Sequence, residues 1–322
     1  MTTTQKIILY GLKHLATLAS GLGRRKKLFI LIYHRVLDEP DFMRPGEVDK
    51  QAFSWQMDLL ANYFNVLPLS EAIEKLKNDQ LPSRAVSITF DDGYADNYLN
   101  ALPILQKNNL PATFFIATGY LNGGIMWNDQ VIEAIRRLKT ATLDLTADGL
   151  ALFDVSTPEQ KVATAHQILN KIKHMDGDKR QAIANSIASQ VDSMPADLML
   201  TDEQLIKLHQ AGMEIGGHTV THPILANLDK ETVWQEIIEN KQSLEKLLKI
   251  QLQHFAYPNG KPGQDYRPEQ TELIKAAGYQ AAVATQWGVV NKDGDFYQLP
   301  RFTPWDKTAL RFMSRLVYMC IK

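Results

Sequence analysis

The sequence predicts an α/β fold built on a parallel sheet with helical crossovers. Three observations carry this. Short apolar, β-rich runs recur at 28–33, 86–90, 113–117, 213–217, 255–257 and 280–285. Stretches with helical periodicity lie between many of them, at 51–63, 70–77, 96–107, 202–210, 230–249 and 269–276. Strand alternating with helix is the pattern of βαβ units. Finally, four of the runs end on polar or turn-forming residues: Tyr33-His34, Asp91-Asp92-Gly93, His218 and Pro258-Asn259-Gly260. In parallel α/β folds the chemistry gathers at the carboxyl ends of strands. The pattern alone allows a closed barrel and an open sheet equally.

The chain has 322 residues, enough for one large α/β domain with additions or for two small ones. Its 45% hydrophobic and 22% charged composition is that of a globular protein. A net charge of -1 argues against nucleic acid as a partner. The single cysteine, Cys320, excludes an intrachain disulfide and a cysteine-based zinc site.

Between the apolar runs, 128–200 reads as a helical insertion, with candidate helices at 129–139, 158–174 and 179–191. Thr157 before Pro158 and Glu159 is a helix start, an N-cap followed by proline at the first helical position. The resulting division is a basic amphipathic helix at 1–27, a main domain at 28–306 and an amphipathic helix at 307–322.

No Asp or Glu precedes Asp38, whereas Lys6, Lys13, Arg24, Arg25, Lys26, Lys27 and Arg35 do. Ile8, Leu12, Leu15, Ala19 and Leu22 follow helical spacing, as do Leu310, Met313, Leu316, Val317 and Cys320. Such helices either pack on the domain or lie on an anionic membrane surface. The run 7–12 is cut by Lys13 and His14, too short for a span of roughly 20 residues. It is also a poor signal peptide. The expected location is cytoplasmic, with peripheral contact at the inner membrane through the basic termini. The oligomeric state is not encoded in any motif.

Two short phrases carry candidate chemistry. Asp91 and Asp92 are adjacent acids between an apolar strand and Gly93; alone they would read as a turn or a helix cap. His218 and His222 stand at i and i+4, which on a helix face one ion, although Pro223 makes a turn equally compatible. Together, Asp92, His218 and His222 make a set of one carboxylate and two imidazoles. Catalytic metal sites use three protein ligands and keep a position open. Asp91 is the adjacent candidate for a general base. These parts suit metal-assisted hydrolysis of an amide or ester.

The phrases Thr89-Phe90-Asp91-Asp92-Gly93-Tyr94 and His218-Thr219-Val220-Thr221-His222 resemble the first two motifs of the polysaccharide deacetylases (NodB homology, carbohydrate esterase family 4). Tyr33-His34-Arg35-Val36, 110–115 and 255–260 resemble flanking family phrases, and the likeness spans about 28–303. It implies a distorted (β/α) barrel with the site at the strand carboxyl ends. It further implies that Asp91 is the base and that Asp92, His218 and His222 hold a divalent metal. Zn²⁺ is the default for that donor set, with Co²⁺, Ni²⁺ and Mn²⁺ as alternatives. A water activated there attacks the acetamide carbon of an N-acetylhexosamine unit, and an acid protonates the leaving amine.

Two departures from the family pattern matter. Aligned on Phe255, Pro258 and Gly260, the usual third motif places Ala256 where an arginine orients the base. Arg301, in Leu299-Pro300-Arg301-Phe302, is the candidate replacement. Tyr257 and Asn259 fall at the substrate and oxyanion positions. The usual C-terminal catalytic histidine is also missing, since none follows His254. His34, at the end of the first strand, is the candidate acid. The expected substrate is an N-acetylated glycan or a lipid-linked sugar in cell-envelope or exopolysaccharide synthesis. The competing expectations are another amide or ester, or a catalytically silent carbohydrate-binding relative.

Overall fold

The structure, a computed structural model, describes residues 3–19 and 26–321. Its centre is one curled sheet of seven parallel strands. They are β1 (Leu28–Tyr33), β2 (Asn65–Val66), β3 (Ala85–Phe90), β4 (Thr113–Ile116), β5 (Glu214–Gly217), β6 (His254–Ala256) and β7 (Ala281–Val283). Across the sheet the order is β1-β3-β4-β5-β6-β7, with β2 paired to the start of β3. Every residue of β1 and β3 is buried. That is the burial expected of a parallel sheet covered on both faces, and it explains why these runs are continuously apolar.

The two ends of the sheet meet through an extended stretch at 299–302. Leu299 exchanges backbone hydrogen bonds with Ala282 and Ala284 beside β7. Phe302 donates to Ile30 at 2.8 Å and accepts from Ile32 at 2.9 Å on β1. The fold is therefore a distorted (β/α) barrel, closed by four residues that carry no strand-like pattern. Arg301 lies in that closing stretch.

Helices α2 (Lys50–Tyr63), α3 (Leu69–Lys77), α4 (Leu102–Lys107), α8 (Asp202–Gln210), α9 (Lys230–Leu248) and α10 (Pro268–Ala276) cover the sheet, numbered with α1, α5–α7 and α11 below. The expected helix at 96–107 begins instead as a π-helical turn, Asn97–Ala101. Pro103, which has no N–H to give the preceding turn, sits at that junction.

The insertion contains α5 (Trp127–Arg137), α6 (Pro158–Ile172) and α7 (Gly177–Ala188) around its own core, which includes Val131, Ile135, Ile168, Ile172, Ile183 and Ile187. Thr157 caps α6 reciprocally with Gln160. The structure adds a small antiparallel pair, Thr142–Asp144 with Leu152–Asp154, that sequence periodicity did not reveal. Three-residue strands are too short to show a period. Asp129 of α5 joins this unit to the barrel. It accepts from Arg44 Nη2 at 2.8 Å and from the Tyr94 hydroxyl at 2.8 Å.

Helices α1 (Thr3–Ala19) and α11 (Ala309–Ile321) pack on each other. The buried face of α1 differs from the predicted one. Leu9 and Ala16 are buried, with Leu12 packed against the core, while Ile8, Leu15 and Leu18 are exposed. Apolar residues occupy too much of the helix for spacing alone to select its packed face. Leu22, Arg24 and Arg25 lie outside the described residues, as do the side chains of Lys6, Ala19 and Cys320. No described helix is long and apolar enough to cross a membrane.

Candidate active site

The site is assembled at the carboxyl ends of β1, β3, β5 and β6. Its cavity, about 260 Å³, is lined by His34, Glu47, Asp91, Asp92, Tyr94, Asn128, His218, His222, Asn259 and Thr285. The chain turns sharply after β3: Asp91 N–H still bonds the Tyr33 carbonyl, and Asp92 and Gly93 then adopt φ of 77° and 90°. This left-handed turn is tolerated by Asp and suits Gly. It separates the two acids.

Asp91 turns towards the closing stretch. Arg301, fully buried, donates Nη1 to Asp91 Oδ1 at 2.7 Å and Nη2 to Oδ2 at 2.6 Å. The same guanidinium bonds the Ala284 carbonyl and Thr89 Oγ1. Burial pushes the Asp91 carboxyl up, but the charges of Arg301 and His218 outweigh it and hold Asp91 below the ordinary value. Asp91 is therefore ionised while each oxygen keeps a lone pair beyond the one Arg301 uses.

Asp92 turns to the histidines. Its Oδ1 lies 3.3 Å from His218 Nε2 and 3.4 Å from His222 Nε2. His218 Nδ1 is 2.7 Å from the Ala256 carbonyl, an acceptor only, so Nδ1 carries the proton and Nε2 presents a lone pair. Burial pushes His222 down to about 4, which keeps it neutral near pH 7. Burial raises Asp92, but His222, His218 and His34 outweigh it and hold its carboxyl far below the usual range. Asp92 Oδ1 is buried without a hydrogen-bond partner. An ionised, unpaired carboxylate oxygen facing two imidazole nitrogens is a costly arrangement unless it serves a cation. The three donor atoms lie within 4.8 Å of one another, so the residues fit a divalent ion.

The His218–His222 segment is a turn and not a helix. Thr219 and His222 have φ of 65° and 51°. A β-branched residue in this region is strained by about 1–3 kcal/mol. Helix α9 holds the turn from behind. The fully buried Asn240 accepts from His218 N–H at 3.2 Å and donates to the Thr219 carbonyl at 2.5 Å and the Ile116 carbonyl at 2.9 Å. Glu236 accepts from the N–H groups of Val220 and Thr221, both at 2.8 Å.

His34 lines the same cavity. Burial would push its imidazole down, but Asp92, Glu47 and Asp91 outweigh that and hold it above the usual value. Asn259 also reaches the cavity, in a turn at φ 60°, with its carbonyl accepting from Thr285 Oγ1 at 2.6 Å. Tyr257 requires a correction. Its ring is fully buried and stacked on Tyr266 at 3.7 Å, and its hydroxyl donates to the Tyr297 carbonyl at 3.0 Å. Its N–H is bonded to the Val283 carbonyl. Tyr257 is a core residue, because the chain alternates sides as it leaves β6 and the ring falls on the side away from the cavity.

Sequence reading missed Glu47, Asn128 and Thr285 in the cavity wall. Glu47 and Asn128 come from loops and helix starts with no periodic signal. Burial raises the Glu47 carboxyl.

A curled parallel barrel with a carboxylate–imidazole cluster at its strand ends carries its candidate chemistry where such barrels place it. The polysaccharide deacetylase family model matches residues 78–282, and the chain belongs to that family. It is 25% identical over 276 residues to YxkH of Bacillus subtilis (strain 168), covering 85% of this chain and 70% of that protein. It is 27% identical over 173 residues to a poly-β-1,6-N-acetyl-D-glucosamine N-deacetylase of Staphylococcus aureus (strain MSSA476). That alignment covers 52% of this chain and 60% of the relative. The fold matches the Streptococcus pyogenes deacetylase PplD (TM-score 0.61, 20% identity, 90% of this chain and 98% of that one). It also matches IcaB from Ammonifex degensii (TM-score 0.59, 18% identity, 92% and 97%).

Proposed function

We propose that this protein is a metal-dependent N-deacetylase acting on N-acetylhexosamine units of a glycan. The observation that carries the proposal is the orphaned Asp92 Oδ1 facing two imidazoles, beside an Asp91 kept ionised by Arg301. Asp92, His218 and His222 would hold the ion, which supplies Lewis-acid polarisation of the acetyl carbonyl and acidifies a water. Asp91 accepts the proton of the attacking water. Arg301 orients Asp91 and keeps it charged. Asn259, in the cavity wall, would meet the acetyl oxygen as it gains charge. His34, in the same cavity, gives its proton to the departing amine so that it leaves as a neutral group. Acetate and a free hexosamine amine result.

The test is release of free amine and acetate from β-1,6-linked N-acetylglucosamine oligomers by the metal-loaded protein. Release of acetate from O-acetylated sugars alone would move the reading to an esterase.

Lipid-linked saccharides are the second substrate reading. Exposed Ile8, Leu15 and Leu18 on α1, in a sequence whose first 37 residues carry basic but no acidic side chains, favour a membrane-surface encounter. Removal of residues 1–25 is expected to weaken binding to anionic liposomes. Equal binding by the truncated protein contradicts this reading.

A further inference from the structure

We propose that a second cavity, between the 40–49 loop and Trp305, is a sugar subsite for the glycan unit next to the one being deacetylated. The inference rests on the deacetylase reading above and names where the rest of its substrate lies.

The cavity measures about 280 Å³ and is lined by residues that include Arg44, Glu47, Trp55, Gln56, Trp305 and Asp306. Glu47 also lines the catalytic cavity, so the two share a wall. Both are near the small end of ligand pockets, about 300 Å³, which suits one sugar ring each. The chain direction explains the adjacency. The closing stretch runs parallel to β1 through the Leu31–Phe302 bridge, so Trp305 emerges on the same face as His34. Buried Gln56 fixes that relation, accepting from the Tyr33 hydroxyl at 2.8 Å and donating to the Pro304 carbonyl at 3.1 Å.

Trp305 is 48% exposed, yet its ring has aromatic support on one side. It stacks on Trp287 at 5.1 Å and 17°, and Trp287 in turn rests on Phe302 at 5.2 Å. The Arg315 guanidinium lies 5.8 Å from each indole and is tied to Asp306 by a bidentate ion pair. A large indole kept half in water, and stiffened from behind, has already lost the freedom that binding would otherwise remove. An open aromatic face with hydrogen-bonding side chains around it suits the C–H face of a pyranose and its ring of hydroxyls. A purely apolar partner would take the Glu47 carboxylate and the exposed Lys307 ammonium out of water without offering either a hydrogen bond.

The experiment compares kcat/KM on N-acetylglucosamine with its β-1,6-linked dimer and tetramer, for the wild type, Trp305→Ala and Trp305→Phe. The expected result is that Trp305→Ala lowers the tetramer-to-monomer ratio about two- to tenfold, and that Trp305→Phe restores most of it. A loss equal at every length, or no loss, overturns the subsite. If the wild type turns over none of these sugars, tetramer binding followed by calorimetry decides the matter separately. Binding weakened by Trp305→Ala upholds the subsite while the reaction reading fails. Binding that is absent, or indifferent to Trp305, overturns it.

Discussion

Arg301 grips Asp91 with both terminal nitrogens, at 2.7 and 2.6 Å, across 210 positions of sequence. The pair couples the strand end that carries the acids to the stretch that closes the barrel. Arg301 thus belongs to both the site and the fold.

Removing it has two consequences. Arg301→Ala leaves a buried carboxylate unpaired, at a cost of about 3–5 kcal/mol, measurable as a lower denaturant midpoint. Without the guanidinium, burial dominates and the Asp91 pKa rises. The acid limb of kcat/KM therefore moves to higher pH. Arg301→Lys restores charge but not the two-pronged grip, so it recovers only part of the activity. An unmoved acid limb in Arg301→Ala contradicts the pairing as the reason Asp91 is ionised.

His34 sets the opposite limb. Its pKa is raised, so the protonated form persists to higher pH and an acid role is lost as pH climbs through that value. A divalent ion on Asp92 offsets part of the charge responsible and draws the limb down again. His34→Asn is expected to cost about 10²–10⁴ in kcat with metal content unchanged, and to flatten the alkaline limb. Activity within a fewfold of the wild type removes His34 as the acid.

Asn240 tests the support of the histidine turn. Asn240→Ala leaves the buried His218 N–H without its acceptor and removes one of the donors to the Thr219 carbonyl, costing about 1–3 kcal/mol. Metal affinity is expected to fall about 10–100-fold, as for other groups that hold a ligand from behind. Titration of the metal-free variant with zinc, followed by thermal melting, reads both. Unchanged affinity would show that the turn keeps its strained shape without Asn240.

Much of the site was legible because its residues sit in short phrases at strand ends. Asp91, Asp92, His218 and His222 needed only the alternation of strand and helix to bring them together. His34 was legible for the same reason. Other features were not. The closure of the barrel depends on backbone bonds made by 299–302, which no side-chain pattern announces. Tyr257 was misjudged because a motif gives a residue's place in the chain and not the side to which its ring turns. Glu47 reaches the cavity on a loop and Asn128 at the start of α5, both placed by tertiary packing. On α1, apolar residues on several faces left Leu9 and Ala16, instead of Ile8 and Leu15, to be chosen by tertiary packing.

The central claim is that Asp92, His218 and His222 hold a divalent ion needed for deacetylation. Its most direct test is turnover of an N-acetylglucosamine oligomer by protein stripped with a chelator, verified metal-free by elemental analysis, and then reloaded with zinc. The predicted result is loss of amine release on stripping and recovery on reloading, with a higher melting temperature in the loaded form and neither response in Asp92→Asn. Undiminished turnover by the metal-free protein would contradict it.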